Sequence, residues 1–168
     1  EAKRMAELLC SAYARMHGIQ IVTARGFAFV GPYLPLDIHF AIGNFIRDAI
    51  QGKPIDIKGD GTPMRSYLYG GDLTAWLWIL LARGQAGHPY NMGSERSISI
   101  KDLAHTVAKV LNPALEIRVH GQAMPGLSPQ KYAPSIERAR TELGLDAWTS
   151  LEVAIQRTAD WAKGAKKV

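Results

Sequence analysis

Residues 59–73 read GDGTPMRSYLYGGDL. Gly59-Asp60-Gly61 predicts a tight turn, Ser66 to Tyr69 an aromatic extended run, and Asp72 an N-cap for the helix that follows, because its carboxylate can accept from the free amides of a first turn. Upstream, Ile55 and Ile57 make a short strand that the glycine turn stops. Before it, residues 40–51 fit a helix ended by Gly52. Residues 26–36 (GFAFVGPYLPL) are apolar but broken by Gly31, Pro32 and Pro35, which predicts a shaped loop. Residues 19–25 (IQIVTAR) are rich in β-branched side chains and read as a strand. Met5, Leu8, Leu9, Ala12 and Met16 recur at helical spacing over residues 2–16, with Gly18 as the stop.

Downstream, the helix opened at Asp72 runs to about Arg83, with Gly84 as its stop. Strands are expected at 89–92 and 115–119, with a brief extended stretch at 97–100. Helices are expected at 101–111, 135–143 and 151–163, and a loop at 120–134. Strands alternating with helices define an α/β organisation, and their small number points to part of a sheet.

The 168 residues, 47% hydrophobic and 21% charged, are globular in composition and exclude a disordered tail, a collagen-like fibre or a disulfide mini-protein. The longest apolar helical run, Ala75 to Ala82, is far below bilayer length. The single Cys10 has no internal disulfide partner, which suits a reducing, cytoplasmic setting. The chain opens at Glu1 inside a helical pattern without a cap, so a fragment of a longer protein is expected. Net charge is +5, yet the basic residues are scattered apart from Lys163, Lys166 and Lys167 on the tail. That dispersion argues against a nucleic-acid surface.

His17, His39, His88, His105 and His120 are far apart, so no metal site is expected. The sequence contains no GxSxG nucleophile elbow and no glycine-rich phosphate loop, and Cys10 reads as a packing residue on a helix face. The segments EAKRMAE, RGFAFVGPYLP, GNFIRDAIQGKPIDIKGDGTPMRSYLYGGDL, PYNMGSERSISIKDLA and SIERARTELGL follow one another in a fixed order. Together they resemble the second half of the extended short-chain dehydrogenase/reductase family, and within it the NAD-dependent nucleotide-sugar epimerases and dehydratases. The resemblance covers essentially the whole chain.

It implies a partial Rossmann-like sheet plus a small mixed α/β substrate-binding domain. Residues 1–36 would end the dinucleotide-binding domain, and 37–168 would mainly form the nucleotide-sugar-binding domain with some segments returning to the sheet. Lys3 matches the lysine of the family's Tyr-x-x-x-Lys pair, which places the tyrosine two positions before Glu1. A lysine ammonium beside that tyrosine favours the phenolate as a base, and in the family it also holds the nicotinamide ribose. Arg65 matches the arginine that grips the substrate diphosphate, a role suited to a guanidinium fork; the competing reading pairs it with Asp60 or Asp72. Asn44 is a second substrate-binding candidate, equally readable as a helix-surface asparagine. Phe27 and Ala28 would offer backbone contacts to the cofactor. Ala28 and Val30 stand where the family often has asparagine and tyrosine, which removes an amide contact to substrate. Ile55 and Ile57 read as core before ligand wall, and Tyr132 and Arg138 as surface residues near a loop.

The implied reaction moves hydride from the sugar C4 to bound NAD (or NADP) while the tyrosine takes the hydroxyl proton. The 4-keto sugar is then re-reduced, as in a 4-epimerase, or dehydrated across C5 and C6, as in a 4,6-dehydratase. Cell-surface polysaccharide synthesis is the implied setting. The isolated fragment would be inactive and carry no bound cofactor. The alternative is a non-catalytic substrate-cap or interaction module that binds a nucleotide sugar weakly or not at all. Expected partners are a nucleotide sugar and a second copy docked through the first helix, with no nucleic acid and no membrane.

Overall fold

The computed structural model describes the chain except His39, Pro125, Leu127 and residues 166–168. His39, Lys166 and Lys167, counted above among the histidines and the basic tail, lie outside the described residues.

Helix α1 (Ala2–His17) ends where Gly18 takes a left-handed φ of 66°, a conformation that costs a glycine nothing. Strand β1 (Thr23–Gly26) and the two-residue β2 (Phe29–Val30) follow, then α2 (Ala41–Ile50), β3 (Ile55–Ile57), β4 (Met64–Arg65) and β5 (Leu68–Tyr69). Helix α3 (Gly70–Arg83) leads to β6 (Pro89–Met92), β7 (Ile98–Ser99) and α4 (Ile100–Leu111). The chain then passes through β8 (Ile117–Val119), β9 (Lys131–Tyr132), α5 (Glu137–Leu143) and α6 (Leu151–Ala165).

Four small sheets result. β1 runs parallel to β6, β2 to β5, and β3 to β8. β4 lies between antiparallel β7 and parallel β9. Parallel pairing needs long crossovers, here supplied by the intervening helices. The expected mixed α/β class with partial parallel sheets is therefore what forms.

One core joins Ile42, Phe45 and Ile46 of α2 to Ile55 and Ile57 of β3, Leu103 and Val107 of α4, and Ile155 of α6. Ile55 and Ile57 are therefore packing residues. Ser99 caps α4, accepting the Asp102 amide at 2.9 Å. A second core holds Trp76 and Leu80 of α3 against Tyr90 of β6 and Ile136 and Ala139 of α5. Its buried polar atoms are paired: the Trp76 indole donates to the Asp146 carbonyl at 3.1 Å, and the Tyr90 hydroxyl bonds Glu142.

Several local expectations change. Asp72 is not an N-cap: Tyr69 occupies that position, and Asp72 sits in the first turn of α3. Its buried carboxylate accepts from the Thr149 amide and hydroxyl, both at 2.8 Å. Gly84 is not a left-handed stop; its φ is −63°. A side chain there would meet the Leu80 carbonyl at 2.5 Å and Val22 at 2.9 Å, so close packing demands the glycine. Of the expected strand 66–69 only Leu68–Tyr69 forms, as β5, with β4 just before it at Met64–Arg65, and the expected loops 26–36 and 120–134 each contain a short strand. Cys10 is exposed rather than packed, on a helix with no buried residue among those described.

Candidate functional site

Arg65 ends β4, where pairing with Ile98 on one side and Tyr132 on the other fixes its backbone. Its guanidinium donates to the Met64 carbonyl at 2.8 Å and reaches the Gln130 carbonyl at 3.5 Å. Neither suggested carboxylate takes it. Asp60 accepts from the Thr62 amide and hydroxyl, bonds that hold its carboxyl below the usual range, and Asp72 is committed to Thr149. Among the described residues Arg65 has no acidic partner, so its charge is free for an anion.

A cavity of about 470 Å³ opens at Arg65, lined also by Phe27, Ala28, Phe40, Tyr67 and Tyr132. The Phe27 and Tyr132 rings stand 5.2 Å apart, centroid to centroid, at one side of it. Low-dielectric aromatic walls around one cation strengthen its attraction for a phosphate-class ligand. Burial pushes the Tyr67 hydroxyl up to about 12 against the opposing effect of the Arg65 charge, so that phenol stays protonated. Tyr67 was not singled out in the sequence, although it stands two residues beyond Arg65 in the opening stretch.

Lys3 lines a separate cavity of about 600 Å³, between α1 and β1, with Glu7, Cys10, Val22, Thr23 and Arg25. Arg25 grips Glu7 through two bonds, Nε to Oε1 at 2.8 Å and Nη2 to Oε2 at 2.6 Å. That pairing lowers the Glu7 carboxyl and raises the Arg25 guanidinium from their ordinary values. Lys3 itself has no ion pair among the described residues. Gly26 belongs to this cavity and Phe27 to the Arg65 cavity, so the two open beside consecutive residues of the chain.

Asn44 stands apart from both. It lines a cleft of about 340 Å³ with Asp56, Ile57 and the Gly59–Gly61 turn, and its Oδ1 accepts from Arg47 at 3.4 Å. Ala41 and Ile100 border that cleft and the Arg65 cavity alike. Arg138 is occupied elsewhere, donating to the Pro89 carbonyl at 2.9 Å. No group of three or more His, Cys, Asp or Glu among the described residues is arranged to hold a metal ion.

A dinucleotide would find only part of a site here. Lys3 and the Phe27–Ala28 segment line separate cavities. The Phe27 amide donates to the Met92 carbonyl and the Ala28 carbonyl accepts from the Leu68 amide, which fixes this segment beside β5 and β6. The sequence offers no glycine loop for the pyrophosphate.

Parallel strand pairs joined by helices place the chain in the α/β class, with Arg65 in an apolar cavity. Residues 1–93 match the NAD dependent epimerase/dehydratase family, and the chain belongs to that family. It is 35% identical over 144 residues to UDP-glucuronic acid decarboxylase 3 of Arabidopsis thaliana, an alignment covering 86% of this chain and 41% of that protein. The fold is that of UDP-glucose 4-epimerase from Thermotoga maritima, solved with UDP-glucose, at a TM-score of 0.86, 20% identity, and coverage of 98% and 53% of the two chains. UDP-glucuronic acid 4-epimerase from Bacillus cereus, solved with UDP-glucuronic acid and NAD, superposes at a TM-score of 0.78 with 27% identity, covering 95% and 50%. The chain thus spans about half the length, or less, of these relatives. No described helix is long and apolar enough to cross a membrane.

Proposed function

We propose that this chain forms the nucleotide-sugar-binding half of an NAD-dependent enzyme that works through a 4-keto sugar, as a 4-epimerase or a 4,6-dehydratase. Residues 1–36 would face the cofactor and 37–168 would mainly hold the substrate. The observation that carries this reading is Arg65, without a carboxylate partner, in one apolar cavity with Phe27 and Ala28. Arg65 grips the diphosphate. NAD, when bound, would supply the hydride chemistry. Lys3 would hold its ribose and favour the phenolate of the tyrosine that the family pairs with it. Asn44, beside the Gly59–Gly61 turn, would contact the nucleoside end of the substrate from the adjoining cleft.

The direct test is titration of the chain with UDP by NMR. Binding is expected in the millimolar range or tighter. Arg65→Ala should weaken it roughly ten- to a hundredfold, the worth of a charge-assisted hydrogen bond of about 1.5–3 kcal/mol. Unchanged affinity in that variant rejects the diphosphate role.

The exposed α1 favours a second reading for the chain by itself: a substrate cap without catalytic competence. Calorimetry with NAD separates the two. No heat is expected from this chain, and tight binding would overturn that expectation. Met5, Leu8 and Leu9, all more than half exposed on α1, are the proposed docking face for a second copy, which sedimentation would detect. The exposed free Cys10 suits a reducing compartment such as the cytoplasm.

A further inference from the structure

The 340 Å³ cleft at Asn44 carries polar groups that the Arg65 reading leaves unused. It adjoins the Arg65 cavity along Ala41 and Ile100, and Phe45, Ile57 and Pro63 give it apolar walls. Asn44 accepts from Arg47 through Oδ1 at 3.4 Å. Arginine only donates, so the amide nitrogen of Asn44 is the end left over, and it has no partner among the described residues. Asp56 lines the same cleft. Burial alternates along β3, with Ile55 and Ile57 in the core and Asp56 exposed between them. The Asp56 carboxylate meets His120 Nε2 through Oδ1 at 2.8 Å, and its Oδ2 has no partner among the described residues. His120 is placed in turn by its own amide, which donates to the Ile57 carbonyl at 3.0 Å. The cleft's other carboxylate, Asp60, is occupied by Thr62. The available pattern is therefore one amide donor and one oriented carboxylate, set against apolar walls.

That pattern discriminates among nucleobases. The Watson–Crick edge of guanine presents one acceptor, O6, and then two neighbouring donors, N1–H and the N2 amino group. A carboxylate pairs with both donors at once. Uracil sets a single N–H between two carbonyls, and cytosine and adenine each place an acceptor beside their amino group, so a carboxylate meets repulsion on all three. We propose that this cleft reads guanine, which makes the ligand a guanosine-diphosphate-linked sugar: Asp56 accepts from N1–H and the N2 amino group, and the Asn44 amide donates to O6. His120 holds the carboxylate in place, and its ring leaves Oδ1 a second lone pair for the base. This inference rests on the reading of Arg65 as the diphosphate-gripping residue with Asn44 at the nucleoside end.

The test titrates the unsubstituted chain, Asp56→Asn and Arg65→Ala with GDP, IDP and UDP. In the parent, GDP should bind about tenfold more tightly than UDP. IDP, the same purine without the N2 amino group, should bind more weakly than GDP. That comparison needs no variant. Asp56 is half-exposed, so Asp56→Asn should match the parent in circular dichroism and thermal midpoint. It should remove the preference for GDP and leave UDP affinity unchanged. Equal binding of GDP and IDP overturns the proposal, because it would trace any preference to the size and stacking of a purine. A GDP preference that survives in Asp56→Asn overturns it as well. If UDP binds the parent as tightly as GDP does, and Arg65→Ala weakens both, the guanine assignment is wrong while the Arg65 reading stands. If neither nucleotide binds, or Arg65→Ala binds both as the parent does, the Arg65 reading falls and this inference with it.

Discussion

Helix α1 and helix α2 are both amphipathic in sequence, yet they meet the rest of the chain in opposite ways. Along α2, Ile42, Phe45, Ile46 and Ala49 are buried against β3, α4 and α6. Along α1 no described residue is buried, and a carboxylate–guanidinium clasp from Glu7 to Arg25 ties the helix to β1. The cavities follow suit. Arg65 sits on a strand held on both sides, against a packed core. Lys3 sits on a helix whose apolar stripe faces outward. An amphipathic pattern therefore says that a helix has a face to cover, and only the packing says whether this stretch of chain covers it.

The largest effect that would test this contrast is on stability. Ile46 has no exposed surface. Ile46→Ala should cost about 2–5 kcal/mol through lost burial and a residual cavity. Leu8, 57% exposed on α1, should lose no more than about 0.5 kcal/mol on the same substitution. Urea unfolding of both variants checks the pair. A loss for Leu8→Ala that approaches that of Ile46→Ala, and grows with protein concentration, would show α1 buried between copies and break the contrast.

Asp72 gives the next effect. Its carboxylate, 7% exposed, joins the start of α3 to the segment before α6 through Thr149. Asp72→Ala removes charged acceptors from a buried amide and hydroxyl, and should cost about 2–3 kcal/mol. Thr149→Val removes the hydroxyl donor alone and should cost less. Equal losses from the two variants would mean that the amide bond contributes little.

Asp72 also marks where sequence reading stops. An aspartate after two glycines at a helix start is locally an N-cap, but Thr149, 77 residues away, takes both of its oxygens. The long helices are legible because ten or more residues carry a period: α1, α2 and α4 fall within a residue or two of their expected limits. β2, β4 and β9 have two residues each and therefore no period, and their partners are remote, as in Phe29 with Leu68 or Arg65 with Tyr132. The same limit applies to the site. The order of motifs singled out Arg65, Phe27 and Ala28, and the fold gathers them at one cavity. Asn44, chosen by the same route, lies in the next cleft, and Tyr67 joined the site only once the fold set it in the wall of the Arg65 cavity.

The smallest effect concerns the clasp itself. Hydrogen bonds from Arg25 favour the ionised Glu7 carboxyl, so its folded value lies below the unfolded one, which is about 4.3. The clasp therefore contributes in full above that unfolded value, and its contribution disappears as pH falls through the lowered folded one. Both partners are more than a third exposed, so salt should weaken the clasp as well. The measurement is an NMR titration from pH 6 to pH 2.5. Resonances of α1 and β1 on both sides of the clasp should move together in the acid range. Glu95, lowered by Arg140 and the Ile136 amide, will titrate in the same range, but its shifts belong to the start of α5. Glu7→Gln at pH 6 should reproduce the acid positions of α1 and leave those of α5 unchanged. If α1 does not respond to either change, the helix is held by something other than Arg25, and the contrast with α2 is smaller than the burial of the two helices implies.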